Sequence, residues 1–286
     1  MSNHRCVGVF DSGVGGLSVW REIARQLPQE DTVYLADQAY VPYGSRRLTE
    51  VRELSEGITR FLLDQGAKLI VVACNTASAA ALHYLRRAFP NVPFVGMEPA
   101  VKPAVERTDN GVVGVIATPA TFQGELFASL VERYASDVKV LTQVCPGSVE
   151  AVEASRLNTP ETQALLRQCL KPLIEAGVDQ LVLGCTHYPF LRPAIERVVE
   201  AGVAVIDPAP AVARQAGRVL ARQRLAAAHP NGSGQPRRTR TGHHIFYTSG
   251  DAEAFAATFA QLIPSLSADV EVRHVRWHRD RLRVQV

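Results

Sequence analysis

Two cysteines in this sequence stand where thiol chemistry could be done. Residues 66–79 read G-A-K-L-I-V-V-A-C-N-T-A-S-A, and residues 177–189 read G-V-D-Q-L-V-L-G-C-T-H-Y-P. Aligning Gly66 with Gly177 places Cys74 on Cys185 without a gap, both at an offset of 111 residues. Each cysteine follows a continuous apolar run of the kind that forms a buried parallel strand, and small polar residues come next. Ligands of open α/β sheets collect at the carboxyl ends of the strands, so related half-chains can deliver two thiols to one cavity. A thiol on each side of a substrate suits two-sided proton transfer. A lone buried cysteine is ordinarily an inert core residue. The gapless repeat, with Asn-Thr after one thiol and Thr-His after the other, favours the chemical reading.

A free thiol has a pKa near ~8.5, and a helix amino terminus or a positive neighbour lowers it. Both cysteines precede helices, so the helix dipole, worth ~0.3–1 kcal/mol, is expected to favour thiolate. Asp11 can accept a hydrogen bond on the Cys74 side. His187, two residues after Cys185, can act as its proton partner. No Arg or Lys sits at either strand end, whereas Ser12, Asn75, Thr76, Thr118, Thr121 and Thr186 gather there. Hydroxyls and backbone N–H groups at fresh helix starts hold carboxylates well, which suits a small acidic amino acid.

Other chemistries fit less well. The turn D-S-G-V-G-G-L between a strand and a helix resembles a dinucleotide loop, and Asp37 imitates the ribose-binding acid. Asp11 would then face a pyrophosphate, anion against anion, so a structural tight turn is the better reading. A pyridoxal enzyme needs a Schiff-base lysine, and none of Lys68, Lys102, Lys139 and Lys171 sits at a polar strand end. Cys74, Cys185 and His187 could be zinc ligands, but Cys-Thr-His is not the usual spacing and no second histidine accompanies it. No metal and no cofactor is expected.

These residues must be positioned by alternating strands and helices. Strands are expected at Arg5 to Phe10, Thr32 to Ala36, in the run before Cys74, and at Phe94 to Gly96. Helices are expected at Leu17 to Leu27, Thr49 to Gln65, and from Cys74 to Arg87. Val113 to Thr118 then repeats Val7 to Ser12 at an offset of 106, so the pattern restarts. The second half holds a helix at Gln123 to Tyr134, a strand at Lys139 to Gln143, and a helix opened by Thr159-Pro160. The Cys185 strand, Val203 to Ile206 and a helix at Ala211 to Arg222 follow. Ala226 to His244, rich in Pro, Gly, Ser and Arg, reads as a surface loop. A strand at His244 to Thr248, a helix at Asp251 to Leu262 and a strand at Val270 to Arg276 close the chain. The fold class is α/β, with two pseudo-symmetric domains built on largely parallel sheets and the site in the cleft between them. The last elements have no counterpart in the second half and are expected to return to the first domain. The division is 1–98 plus 209–286 against 99–208.

The 286 residues, 47% hydrophobic, can bury a sizeable core. Net charge is +3, but residues 214–286 carry 12 Lys or Arg against 5 Asp or Glu. A second reading of the chain is therefore a binding protein whose basic tail meets nucleic acid or an enzyme acting on it. A basic run is more often a solvated surface, and a nucleic-acid partner is not the expectation. Five cysteines, no C-x-x-C pair and no apolar leader point to the cytoplasm with reduced thiols. No apolar stretch approaches the ~20 residues that cross a bilayer.

In order, D-S-G-V-G-G-L, P-Y-G-S, A-C-N-T-A-S-A and G-C-T-H-Y-P resemble the glutamate racemase family, over nearly the whole chain from Val7 to Asp251. Aspartate racemases are similar but usually carry His and Glu where this chain has Ala77 and His187. The resemblance implies cofactor-independent interconversion of L- and D-glutamate, with Cys74 serving the D enantiomer and Cys185 the L enantiomer. It implies substrate contacts from Asp11, Ser12, Pro42, Tyr43, Gly44, Asn75, Thr76, Thr186 and His187, and Glu153 as the acid that orients His187. It further implies a homodimer and supply of D-glutamate to peptidoglycan. Residues 36–41, A-D-Q-A-Y-V, depart from the family's usual pattern.

Overall fold

The computed structural model describes residues 5–199, 201–227 and 241–285. Most of the expected loop over Ala226 to His244 lies outside the described residues.

Two parallel sheets share one strand order. In the first half β1 (Cys6–Asp11), β2 (Thr32–Ala36), β3 (Ala67–Val72) and β4 (Phe94–Gly96) lie in the order β2-β1-β3-β4. In the second half β5 (Val112–Ala117), β6 (Lys139–Val144), β7 (Gln180–Gly184) and β8 (Ala204–Ile206) lie in the order β6-β5-β7-β8. The offset of 106 that relates the sequences carries β1 onto β5 residue for residue. The repeat is thus one of topology as well as of motif.

Three later strands widen the first sheet to seven. β9 (His244–Thr248) pairs in parallel with β2, and β10 (Glu271–His278) in parallel with β9. β11 (Arg281–Val284) turns back antiparallel on β10. This closing hairpin goes beyond the single strand expected at Val270 to Arg276. Residues 279 and 280 make its two-residue turn, with Arg279 at φ 57.

Helices connect the strands: α1 (Leu17–Gln26), α2 (Leu48–Asp64), α3 (Asn75–Ala88) and α4 (Val101–Val105) in the first half and the crossing segment. The second half adds α5 (Pro119–Gln123), α6 (Glu125–Tyr134), α7 (Ser148–Glu153), α8 (Pro160–Glu175) and α9 (Tyr188–Val199). α10 (Ala209–Arg222) and α11 (Ala252–Leu262) follow. Gly66 and Gly177 end α2 and α8 at φ 86 and 75, backbone that a Cβ disfavours. Thr159 caps α8, its hydroxyl accepting from Thr162 N–H.

Two expectations change here. The helix expected over Gln123 to Tyr134 breaks at Gly124, where the backbone is extended and a Cβ would lie 2.7 Å from Ala79 Cβ. α3 packs so close at this point that only glycine fits. The expectation of reduced thiols fails for one pair: Cys145, after β6, is bonded to Cys169 on α8, with their Cα atoms 5.4 Å apart. Tertiary packing joins them across 24 residues, a pairing that cysteine spacing did not reveal. Cys6, Cys74 and Cys185 are free thiols.

One apolar cluster runs through both halves, joining Val9, Val14, Trp20 and Val71 to Leu181, Leu183 and Leu191. Each buried aliphatic side chain contributes roughly 1.5–3 kcal/mol, so this shared core holds the carboxyl ends of the two sheets against each other. Among the described residues no helix is long and apolar enough to cross a membrane.

Candidate active site

Cys74 leaves β3 and becomes the N-cap of α3, its Sγ accepting the Ala77 N–H at 3.4 Å. Cys185 directly follows β7 and lies three residues before the start of α9. Both are buried, at 5% and 6% exposure, so neither thiol is open to bulk solvent. They are near enough that charge on Cys185 raises the Cys74 pKa.

The two thiols differ in their neighbours. Burial, then the Asp11 carboxylate, push the Cys74 thiol well above its ordinary value, and the Ala77 N–H only partly offsets them. The dipole argument expected the opposite sign. It undercounted desolvation, which dominates for a buried thiol. Cys185 Sγ lies 3.6 Å from His187 Nδ1. His187 Nε2 is 2.7 Å from Glu153 Oε1. Burial works against charge on the imidazole, but the bonds to Cys185 and Glu153 outweigh it and hold the His187 pKa well above normal. Glu153, at the end of α7, is held below the usual carboxylate range: burial opposes this, and His187, Gln38 and the Val14 N–H prevail.

Asp11 ends β1, and its Oδ2 accepts the N–H groups of Gly13 at 3.2 Å and Gly16 at 2.9 Å. Thr186 Oγ1 donates to Oδ1 at 3.3 Å, linking the two cysteine motifs through this carboxylate. Complete burial pushes the Asp11 pKa up, against the pull of His187 and Gly16.

The glycine-rich turn after Asp11 is the seam between the halves. A Cβ on Gly13 would come within 1.9 Å of Glu153 Oε1, and one on Gly15 within 2.4 Å of His187 Nδ1. Val14 N–H donates to Glu153 Oε1 at 2.7 Å. The turn is therefore structural, and its glycines admit the second half's acid and imidazole.

Polar groups line the first-half side. Asn75 is buried, and both its side-chain Oδ1 and Nδ2 lack protein partners. Two unpaired buried amide atoms cost free energy unless a ligand meets them. Thr76 and Thr118 hydroxyls are 2.8 Å apart, and Thr121 Oγ1 is 3.0 Å from that of Thr118. These threonines brace α3 against α5 by bonding one another. Gly44 packs on Thr118, where a Cβ would approach to 2.6 Å. Ser12 is buried at the start of the turn, and Pro42 follows a cis Val41–Pro42 peptide.

Asp37 is a residue whose part the sequence concealed. Its buried carboxylate accepts from Tyr43 Oη at 2.6 Å, Ser249 Oγ at 2.6 Å and Trp277 Nε1 at 2.7 Å. It fixes Tyr43, and with it the Pro42–Gly44 segment. Its partners Ser249 and Trp277 lie more than 200 positions away, so no local pattern announced them.

Lys68 is paired with Glu30 at 2.5 Å, both buried, at the start of β3. Among the described residues no three His, Cys, Asp or Glu side chains are grouped to hold a metal ion. A separate cavity of about 610 Å³ opens where the chain crosses between the halves, beside Glu98, Lys102, Asp207 and Arg214. It touches neither cysteine.

Residues 7–216 match the family model described as Asp/Glu/Hydantoin racemase. The chain is 56% identical over 221 residues to the glutamate racemase of Pseudomonas aeruginosa, covering 77% of this chain and 83% of that one. Among solved structures it is similar to glutamate racemase isoform RacE1 from Bacillus anthracis, with a TM-score of 0.82, 31% identity and coverage of 98% and 99%. It is also similar to the glutamate racemase from Francisella tularensis solved in complex with D-glutamate, with a TM-score of 0.78, 27% identity and coverage of 94% and 97%.

Proposed function

Since the chain belongs to the Asp/Glu/hydantoin racemase family, we propose that it interconverts L- and D-glutamate with Cys74 and Cys185 as paired acid and base. The observation that carries this reading is the two buried thiols set after equivalent strands, within electrostatic reach of each other, beside an unpaired Asn75. The thiolate of Cys185 takes the Cα proton of L-glutamate, and the carbanion is then protonated on its other face by the Cys74 thiol. D-glutamate reacts by the reverse path. Burial keeps Cys74 protonated, as the acid of the forward direction must be. His187, charged and held by Glu153, faces Cys185 and follows its change of protonation. Asp11 serves the Cys74 side.

The substrate carboxylates are assigned to Ser12, Asn75, Thr76, Thr186, and the Tyr43–Gly44 backbone, at helix starts that favour anions. Thr118 and Thr121 support Thr76. Both thiols are buried, so the halves part for substrate to enter. Residues 1–98 with 209–286 are proposed as one domain and 99–208 as the other, a division supported by the strands of each sheet. Work in the cytoplasm as a homodimer, and supply of D-glutamate for peptidoglycan, belong to the same proposal on the strength of family likeness.

The test is loss of optical activity by L-glutamate on incubation with purified protein, without cofactor and with chelator present. Unchanged rotation with both enantiomers overturns the assignment.

A further inference from the structure

Gln38, in the segment after β2, is not among the substrate contacts, yet it reaches across the seam. Its Nε2 donates to Glu153 Oε2 at 2.9 Å, and its Oε1 accepts from Thr248 Oγ1 at 2.8 Å. Thr248 Oγ1 accepts the Gly250 N–H at 3.0 Å, which turns the threonine proton toward Gln38. The Glu153 carboxylate only accepts, so the amide presents its N–H to Glu153 and its oxygen to Thr248, whose hydroxyl donates. Glu153 has its other oxygen on His187, and His187 faces Cys185.

We infer that Gln38, oriented by Thr248, is a positioning residue for the Cys185 face of the reaction, acting through Glu153 and His187. The inference rests on the two-thiol reading given above. Three features mark the arrangement as built. Thr248 is fully buried on β9. Gly250 leaves room for Gln38, since a Cβ there would lie 2.8 Å from Gln38 Cβ. The chain Gly250, Thr248, Gln38, Glu153, His187, Cys185 is continuous at hydrogen-bond or thiol contact distance. Cys74 is supported differently, by Asp11 and the Ala77 N–H. The groups around Glu153 are His187, the Val14 N–H and Gln38, with Asp11 and Tyr34 within electrostatic reach. Gln38 donates to the oxygen that His187 and Val14 leave open.

The experiment compares Gln38→Met, Thr248→Val and Thr248→Ser with wild type. Losing a hydrogen bond to a charged group is expected to lower kcat roughly tenfold in Q38M, with KM changed less than about twofold. T248V should fall in the same direction, and T248S, which keeps the hydroxyl, should behave as wild type. An uncompensated Glu153 oxygen takes a proton more readily, so the acid limb of the kcat profile moves to higher pH. Slowing only the Cys185 step raises the deuterium isotope effect on kcat/KM with L-[2-²H]glutamate and lowers it with D-[2-²H]glutamate.

Wild-type kinetics in Q38M overturn the inference. So does slower turnover with an unmoved acid limb and isotope effects unchanged from wild type on both enantiomers, the outcome of a merely structural role. If Q38M does not fold, the contrast between T248V and T248S decides by the same measures. Wild-type turnover of L-glutamate in deuterium oxide, run in parallel, isolates the underlying reading. Protiated product there overturns the two-thiol mechanism, whereas deuterated product with an unaffected Q38M overturns only the role of Gln38.

Discussion

Cys185 Sγ and His187 Nδ1 lie 3.6 Å apart, and among the described residues no imidazole takes the corresponding place beside Cys74, whose Sγ accepts the Ala77 N–H instead. The repeated fold therefore presents two thiols in unlike settings, one beside a charged ring and one desolvated and held protonated.

Substitution of either thiol removes the acid or base on one face of Cα. C74A and C185A should each lose at least ~10²–10⁴-fold in kcat, the usual share of general acid–base catalysis. Far-ultraviolet circular dichroism should be unchanged, since both sites are small and lie at strand ends. Substantial turnover by either variant contradicts the two-thiol assignment.

Isotope entry distinguishes two bases from one. In heavy water, D-glutamate formed early from L-glutamate should carry deuterium at Cα, because the donor thiol has exchanged with solvent. Residual L-glutamate should stay largely protiated. Mass spectrometry of both enantiomers at low conversion reads the result, and mainly protiated product would sink the mechanism.

The seam glycines admit no side chain. In Gly15→Ala the new Cβ meets the His187 ring at 2.4 Å, and in Gly13→Ala it meets Glu153 at 1.9 Å. Overpacking of this kind costs about 1–3 kcal/mol. Both variants should melt at lower temperature and lose kcat by a factor larger than the shift in KM. Ordinary activity in G15A would mean that the ring can move aside without consequence.

The Glu153–His187 pair gives stability a defined pH window. The Glu153 pKa is lowered on folding, so its contribution is full above the unfolded value of ~4.3 and is lost as pH falls through the folded value. The His187 pKa is raised, so its contribution is full below ~6.5 and is lost as pH rises through the folded value. Glu153→Gln should cost most between these limits, about 3 kcal/mol at pH 5.5 for breaking a buried pair. Urea denaturation at pH 3.5, 5.5 and 9 should show the difference narrowing at both ends. A constant difference would refute the linkage.

The elements around the site were legible because they are local. Apolar runs ending in Cys74 and Cys185 announced β3 and β7, and Gly66 and Gly177 announced the ends of α2 and α8. The repeat announced a duplicated unit, and the structure adds that its two copies share one strand order. What stayed hidden depends on contacts distant in sequence. The Cys145–Cys169 bond, the Trp277 bond to Asp37 and the Gln38 bond to Glu153 join residues with no shared pattern. The break at Gly124 was signalled by the glycine itself, which the helical reading passed over. Glu153 came through family resemblance alone; the short helix that carries it has too few turns to show a period.

The path of the chain through the larger sheet sets a timetable for synthesis. β2 acquires its second neighbour, β9, only once residues 244–248 have been made, whereas the four-stranded sheet is complete at Ile206. On a ribosome adding about 5–20 residues per second, the open edge of β2 waits roughly 10–40 s for its partner. The half that begins second is therefore finished first. Through that interval the earlier half offers the open edge of a largely apolar strand to whatever meets the nascent chain, whether a chaperone or a neighbouring copy.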